Sequence, residues 1–416
     1  MAHERTSDSI WLEQADTPDS SPPPSSTTVA VIGAGIAGVS TALHLASAGV
    51  DVTVLEAGDI AGRASGRNDG QLLLGLGEHY NRIHSQFGAE RAPLLWDFLQ
   101  RNHDAMLAEL RSANIDCDLR QAGGLRLAET EHEQHELRQA AALLRAEKRD
   151  HELLEAGDLA AHLPLARGFH GGLRLADEAI VQPASMVRGL ALLAQSRGAT
   201  ISTGCQVRAV DGEAGDFSVV LADGRRVAAQ VVVHCSAALG RDLDRTGLLG
   251  RTVFAYRGQI VATDDLPAEL ASQFPDCAMS SNFCYEYFRM HRRRFVLGGM
   301  RWSVPGEEVH VVDDGSHHPQ ISENLIAYAR RHFPALADVP FPHVWTGVMA
   351  GSPDGLPLCG ALPGQTGEFA LLAFNGYGLS FAFLAGKCLS EMIIDGESAH
   401  EALPMFTPRR FVGQRT

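Results

Sequence analysis

The chain has none of the marks of a disulfide-stapled protein. Its seven cysteines are an odd number, scattered through 416 residues with no C-x-x-C pair. That pattern suits reduced thiols in a cytoplasm better than a disulfide framework. No basic stretch leads into an apolar segment near the start, so no secretory signal is expected. A long apolar run is missing as well. Phe369 to Gly386 comes nearest, but Asn375, Gly376, Gly378 and Ser380 interrupt it. It is expected to form a buried strand, a glycine turn and a helix, with no membrane span. Positive charge is also in short supply. A formal net charge of -15 argues against nucleic acid or an anionic membrane as partner, since both would repel it. No His/Cys cluster has metal-ligand spacing and no nucleophile–base signature is visible, which sets aside metal and acyl-transfer chemistry.

What is present is the composition of a globular protein, 45% hydrophobic and 20% charged. Its length predicts two domains. Residues 1–27 read as a flexible leader ending in the Ser/Pro run Ser20 to Ser26. Ile10, Trp11 and Leu12 are the bulky apolar residues before that run, so a small docking patch is the other possibility. A βαβ unit follows: a strand at Thr28 to Ile32, a helix at about Ile36 to Ala48 closed by Gly49, and a strand at Asp51 to Leu55. Helical periodicity dominates from about Ala89 to Leu154. Another helix is expected at about Pro183 to Gly198, then a strand at Thr200 to Val207. Strands flank Asp223-Gly224, and Val231 to Cys235 runs into the turn Ser236-Ala237-Ala238. The middle is β-rich over Thr252 to Thr263 and Tyr285 to Gly299. Gly347 to Leu358 is expected to be a loop.

Chemistry enters with Gly33-Ala34-Gly35-Ile36-Ala37-Gly38, set between a strand and a helix. The first glycine permits the tight turn, the second lets backbone approach a pyrophosphate, and the third lets helix pack on sheet. The helix N-terminus then offers N–H donors to phosphate. Glu56, closing the second strand, is placed to accept from a ribose diol. The order strand, motif, helix, strand, acid predicts a dinucleotide site, without separating NAD from FAD. The small residues of Gly62 to Gln71 suit a longer dinucleotide and its ring. At the far end, Asn375 to Ser380 offers a second helix N-terminus to an electron-rich atom such as a flavin carbonyl, or is simply a packing turn.

Six segments carry a resemblance in order from about residue 28 to 396: VAVIGAGIAG, LEAGDIAGRASGRNDGQ, IDCDLRQAGGLRLA, YEYFRMHRRRFVLGG, WTGVMAGSPDGLPLCG and FNGYGLSFAFLAG. Together they resemble the D-amino-acid-oxidase-like (DAO) family of FAD-dependent oxidoreductases, and within it the gamma-glutamylputrescine oxidoreductase-type branch. The glycine-rich ends are specific and the middle is not. The resemblance implies an α/β protein, α+β overall, in which a Rossmann-like FAD-binding domain is interleaved with an antiparallel-sheet substrate domain. The first would be residues 28–90, 155–245 and 345–416; the second, residues 91–154 and 246–344. Gly33, Gly35, Gly38 and Glu56 would hold the ADP portion, with Ala34, Ile36, Ala37 and Ala57 beside them. Arg63, Ala64, Ser65, Arg67, Asn68, Gly70 and Gln71 would follow the pyrophosphate, ribityl chain and ring. Val207 would meet the adenine edge through its backbone. Ser236, Ala237 and Gly347 would line the cofactor, and Gly376, Tyr377, Gly378, Leu379 and Ser380 would sit at the pyrimidine side. Some relatives attach FAD covalently through a histidine or a cysteine at positions held here by Asn68 and Gly347, so non-covalent FAD is expected.

In this family a neutral amine or amino acid gives a hydride to the flavin, with positioning and electrostatics as the main catalytic means. The partners implied are that small-molecule substrate and oxygen or another electron acceptor. Tyr287 and Arg289 alternate on a strand and share a face. Arg289 is a candidate carboxylate clamp or a charge within the basic run Arg292 to Arg294. Tyr377 is an aromatic wall or a turn residue packed on the core. Glu78 and His79 follow the flavin loop and are candidates to face the ring. Asp69 stands where the branch usually has a small residue. It would anchor a cationic amine or satisfy nearby backbone donors. Three functions stay open: an oxidase making hydrogen peroxide, a dehydrogenase with another acceptor, and a flavin-binding protein without turnover. An NAD-only dehydrogenase is more distant.

Overall fold

The computed structural model describes residues 4–413; residues 1–3 of the expected leader and residues 414–416 of the expected FAD-binding domain lie outside them. Two eight-stranded sheets organise the chain. The first has a parallel core in the order Glu368–Leu372, Arg226–His234, Ser26–Ile32, Val52–Leu55 and Thr200–Ser202. Val29, Val31, Val52 and Val54 are fully buried, as strands covered on both faces require. The antiparallel pair Val207–Glu213 and Asp216–Leu221 continues from the early half of Arg226–His234, so Val207 opens a strand where the sequence suggested the end of one. The helix Ile36–Ser47 packs against Pro183–Ser196 and Gly378–Asp395.

The glycine motif lies where Ser26–Ile32 passes into Ile36–Ser47. Gly33 takes φ +106°, and a Cβ there would stand 2.8 Å from the Cys235 carbonyl oxygen. A Cβ on Gly38 would overlap the Gly33 carbonyl oxygen. Both positions therefore exclude a side chain, the first by turn geometry and crowding, the second by close helix–strand approach.

The second sheet runs His343–Gly351, Phe254–Ala262, Arg294–Gly298, Glu286–His291, Ala278–Ser281, Gly124–Ala128, Gly171–Leu175, Glu152–Glu155. All its pairs are antiparallel except Ala278–Ser281 with Gly124–Ala128. Phe288, Phe295 and Phe333 form its apolar core with Leu325 of the helix Pro319–His332. Two expectations change here. Gly347 lies within a strand reaching Gly351, because cross-strand pairing with Phe254–Ala262 outweighs its glycines. The helical stretch from Ala89 to Leu154 is broken by the strand Gly124–Ala128 and closed by Glu152–Glu155. Strands from residues 155–175 and 343–351 thus belong to the second sheet.

The expected flexible leader is packed from residue 6 onward. Ser9 caps the helix Ile10–Gln14 and also donates to the Gly66 carbonyl at 3.0 Å. Trp11 is fully buried, with its ring 4.6 Å from His291 and 6.4 Å from Trp345. Gln182 donates to the Trp11 carbonyl at 2.8 Å, and Arg188 donates to that of Ala15 at 2.5 Å. Three apolar residues therefore dock the segment against the loop 62–71 and the second sheet. Trp11→Ala is expected to lower unfolding free energy by about 3–5 kcal/mol, read as a drop in the urea midpoint. A change under about 1 kcal/mol would match an unpacked leader.

Candidate active site

One cavity of about 990 Å³ joins the glycine turn of the first sheet to the inner face of the second. That is the upper end of the range for ligand sites. At its first end lie Gly33, Gly35, Ile36, Ala37, Glu56, Ala57, Val207, Ser236 and Ala237. Glu56 accepts from the N–H of Ala34 at 2.7 Å and of Gly58 at 2.8 Å. The strand end thus holds the carboxylate rigidly at the rim, with lone pairs left for a diol. Ser65 Oγ accepts from the Ile36 N–H at 2.9 Å, which ties the loop 62–71 to the helix N-terminus.

Arg63, Ala64, Arg67, Asn68, Asp69 and Gln71 continue the wall, and Gly347 faces them from the second sheet. Asn68 closes its own turn: it donates to the carbonyls of Ala64 and Ser65 and accepts from the Gly70 N–H. Arg63 pairs with Asp314 at 2.5 Å. Gln71 donates to the carbonyls of Met279 and Phe288, joining the loop to the second sheet. Ala34, Gly38 and Gly70 stand behind this wall as support. At the far end Gly376, Tyr377, Gly378, Leu379 and Ser380 line the cavity, and the uncapped N-terminus of Gly378–Asp395 opens there. Ser380 Oγ accepts from the Leu73 N–H at 3.0 Å, so its hydroxyl bridges loop and helix.

Of the four candidate catalytic residues, Asp69, Tyr287 and Tyr377 line the chamber and Arg289 does not. Arg289 is 1% exposed and lies beneath the loop. Its guanidinium donates to the carbonyls of Val181 at 2.7 Å, Met290 at 3.0 Å, Asp69 at 3.2 Å and Gly70 at 3.3 Å. It is neither a surface charge nor a free clamp. Burial pushes it down to about 10, and the Asp69 carboxylate opposes that shift. It remains a cation at neutral pH.

Burial raises Asp69 to about 6, with Arg289 and the Gln71 N–H pulling it down. Its side chain is walled in by protein yet faces the chamber, and its bond from the Gln71 N–H is long at 3.4 Å. Tyr287 lies across Gly298 of the neighbouring strand, where a Cβ would strike its ring. Tyr377 reaches over Gly77 in the same way. Burial pushes the phenols of Tyr256, Tyr287 and Tyr377 well above their usual range, leaving three neutral donors. Glu78 faces the chamber, whereas His79 is buried behind it.

Sequence reasoning missed Tyr256, Cys284 and Arg301, which also line the chamber. Arg301 follows the strand Arg294–Gly298 by three residues, and its guanidinium lies 4.6 Å from the centre of the Tyr256 ring. Arg301 lies two residues past the FVLGG segment, and Tyr256 inside the β-rich middle. Nothing in the spacing marked either as inward.

The sequence profile of the FAD dependent oxidoreductase (DAO) family matches residues 28–392. The chain belongs to that family. It is 27% identical over 393 residues to gamma-glutamylputrescine oxidoreductase of Escherichia coli (strain K12), covering 93% of this chain and 88% of that one. It is 26% identical over 384 residues to glycine oxidase of Bacillus licheniformis, covering 91% and 96%. Among solved structures, glycine oxidase from Geobacillus kaustophilus superimposes with a TM-score of 0.79 at 22% identity, over 94% of this chain and all of that one. L-proline dehydrogenase from P. horikoshii gives 0.78 at 19% identity, over 93% and 98%. These two likenesses speak for the fold.

FAD is the cofactor, and the donor set fits it: a glycine cradle without room for side chains, a fixed carboxylate at the diol position and a cavity of dinucleotide size. Gly38→Val should leave the purified protein colourless, because helix and strand must separate to admit the side chain. The flavin bands after gel filtration are the measurement, and normal FAD content would contradict this reading.

Proposed function

We propose that this FAD-dependent oxidoreductase oxidises the C–N bond of an amine or amino acid to an imine, with FAD held non-covalently. The observation that carries the reading is Asp69, a carboxylate in the chamber wall that also holds the neutral phenols of Tyr256, Tyr287 and Tyr377. The relatives favour it too, since their names give amines and amino acids as substrates. Neither Asn68 nor Gly347 offers a nucleophile for a covalent flavin link. Bound FAD supplies the two-electron, hydride-accepting chemistry.

The chain's own residues bind and deprotonate the substrate. An amine arrives mostly as a cation, and Asp69 attracts it into a site of low polarity. With its carboxyl raised to about 6, Asp69 is ionised at neutral pH and a better acceptor for the ammonium proton than an ordinary carboxylate. Tyr256, Tyr287 and Tyr377 exclude water and leave hydroxyls to orient the nitrogen. Arg301, rather than Arg289, is the guanidinium available to a substrate carboxylate. One of its Nη groups donates to the Glu307 carbonyl at 2.7 Å, which holds the fork at the chamber wall.

Oxygen is the acceptor in this reading, giving hydrogen peroxide; another acceptor would make the enzyme a dehydrogenase. Seven unpaired cysteines favour a reducing compartment such as the cytoplasm. No helix among the described residues is long and apolar enough to cross a membrane.

Anaerobic addition of an amine and amino-acid panel should bleach the flavin, and air should restore it with release of peroxide. No bleaching with any member would contradict the reading. For an active substrate, kcat/KM should rise as pH passes through about 6, where Asp69 loses its proton. Asp69→Asn should remove that limb and lower kcat/KM roughly 10²-fold. An unchanged limb would assign the titration to another group.

A further inference from the structure

Cys284 sits in a polar cluster that the proposed reaction does not use. It closes the turn between Ala278–Ser281 and Glu286–His291, where Asn282, Phe283 and Cys284 take φ of +47°, +55° and +65°. Three consecutive side chains in the left-handed region are costly and persist only when their surroundings hold them. Here the Phe283 N–H donates to Glu133 at 2.6 Å, and the Arg82 guanidinium lies 3.6 Å from the centre of the Phe283 ring. Cys284 and Tyr377 both line the chamber.

The groups around the sulfur fit an anion. Arg126 Nη1 donates to it at 2.7 Å and Ser280 Oγ at 3.5 Å. Arg126 is itself buried, pairs with Glu178 and donates to the Leu74 carbonyl at 2.6 Å. His79 also interacts with the sulfur and is 3% exposed. Its Nε2 lies 3.3 Å from Glu133, yet neither ring nitrogen completes a well-aligned hydrogen bond. That leaves a buried imidazole between the Glu133 carboxylate and a thiol. Burial lowers His79, but Cys284 and Glu133 raise it more, to about 9. Burial alone would raise Cys284, but Arg126 and His79 bring it below the usual thiol value. Burial pushes Cys117, Cys235 and Cys277 the opposite way, to about 12.

We propose that Cys284 is a modification site: a thiolate at the chamber wall that hydrogen peroxide converts to a sulfenic acid, slowing the enzyme. The sulfur attacks one peroxide oxygen; the S–O bond forms as the O–O bond breaks. Sulfur gives up two electrons, and the second oxygen leaves as hydroxide, which takes a proton from His79 to become water. The added oxygen alters the chamber lining to which Cys284 and Tyr377 both belong. Oxygen-dependent turnover, as read above, is one source of the peroxide. The test supplies it directly, so its failure leaves that reading untouched.

FAD-loaded protein is treated with hydrogen peroxide and dimedone, and the cysteines are mapped by peptide mass spectrometry. Cys284 should be labelled roughly ten-fold faster than any other cysteine. Turnover should fall in step with the modification in peroxide alone and return with dithiothreitol. His79→Gln should slow labelling. In the unaltered protein, the pH midpoint for iodoacetamide alkylation of Cys284 should lie below that of a free cysteine thiol. Preferential labelling elsewhere, no labelling, an ordinary thiol midpoint or labelling with full activity would each overturn the proposal.

Discussion

Arg289 carries the contact on which the rest of the site depends. It rises from the second sheet beneath the loop 62–71 and donates to carbonyls of the loop, of Val181 and of its own strand. Backbone carbonyls buried without partners are costly, about 1–3 kcal/mol each, and one guanidinium satisfies four of them. The same cation keeps Asp69 from being raised further by burial. The wall of the cofactor cavity is thus fixed by a residue that never meets the cavity. Gln71 repeats the connection two residues later, and Ser9 holds the loop from the N-terminal side.

With the loop fixed, the division of labour between the sheets is simple. The parallel sheet presents helix N-termini, glycine turns and Glu56, all suited to phosphates and a ribose. The second sheet presents phenols and Arg301, and its glycines leave room for rings: Gly298 beneath Tyr287 is the clearest case. Asp69 belongs to the first unit and faces the second.

The parts of this arrangement legible in the sequence are those governed by local backbone geometry. Gly33 to Gly38 and Glu56 announce themselves because a tight turn or close approach admits few residue types, whereas the turn Asn375 to Gly378 reads from local pattern equally as a packing turn. The helix Ile36–Ser47 and the strand Val52–Leu55 begin and end within a residue or so of where periodicity places them. Arg289 was legible as a residue and illegible as a partner, since alternation gives its face and not the loop above it. Trp11 hides for the same reason, because its pocket is made by His291 and Trp345 from far along the chain. Cys284 carries no motif: its environment comes from Arg126 and His79, which converge on it only after the second sheet forms. The strand Gly124–Ala128 is hidden between helices, because cross-strand pairing decides it and local pattern does not.

The most direct measurement is FAD affinity and substrate preference in Arg289→Ala, compared on one substrate with a carboxylate and one without. The account predicts a large loss of FAD affinity and an equal change for both substrates, because Arg289 holds the loop. Unaltered FAD affinity with a selective loss for the carboxylate-bearing substrate would contradict it, and would return Arg289 to the role of a clamp.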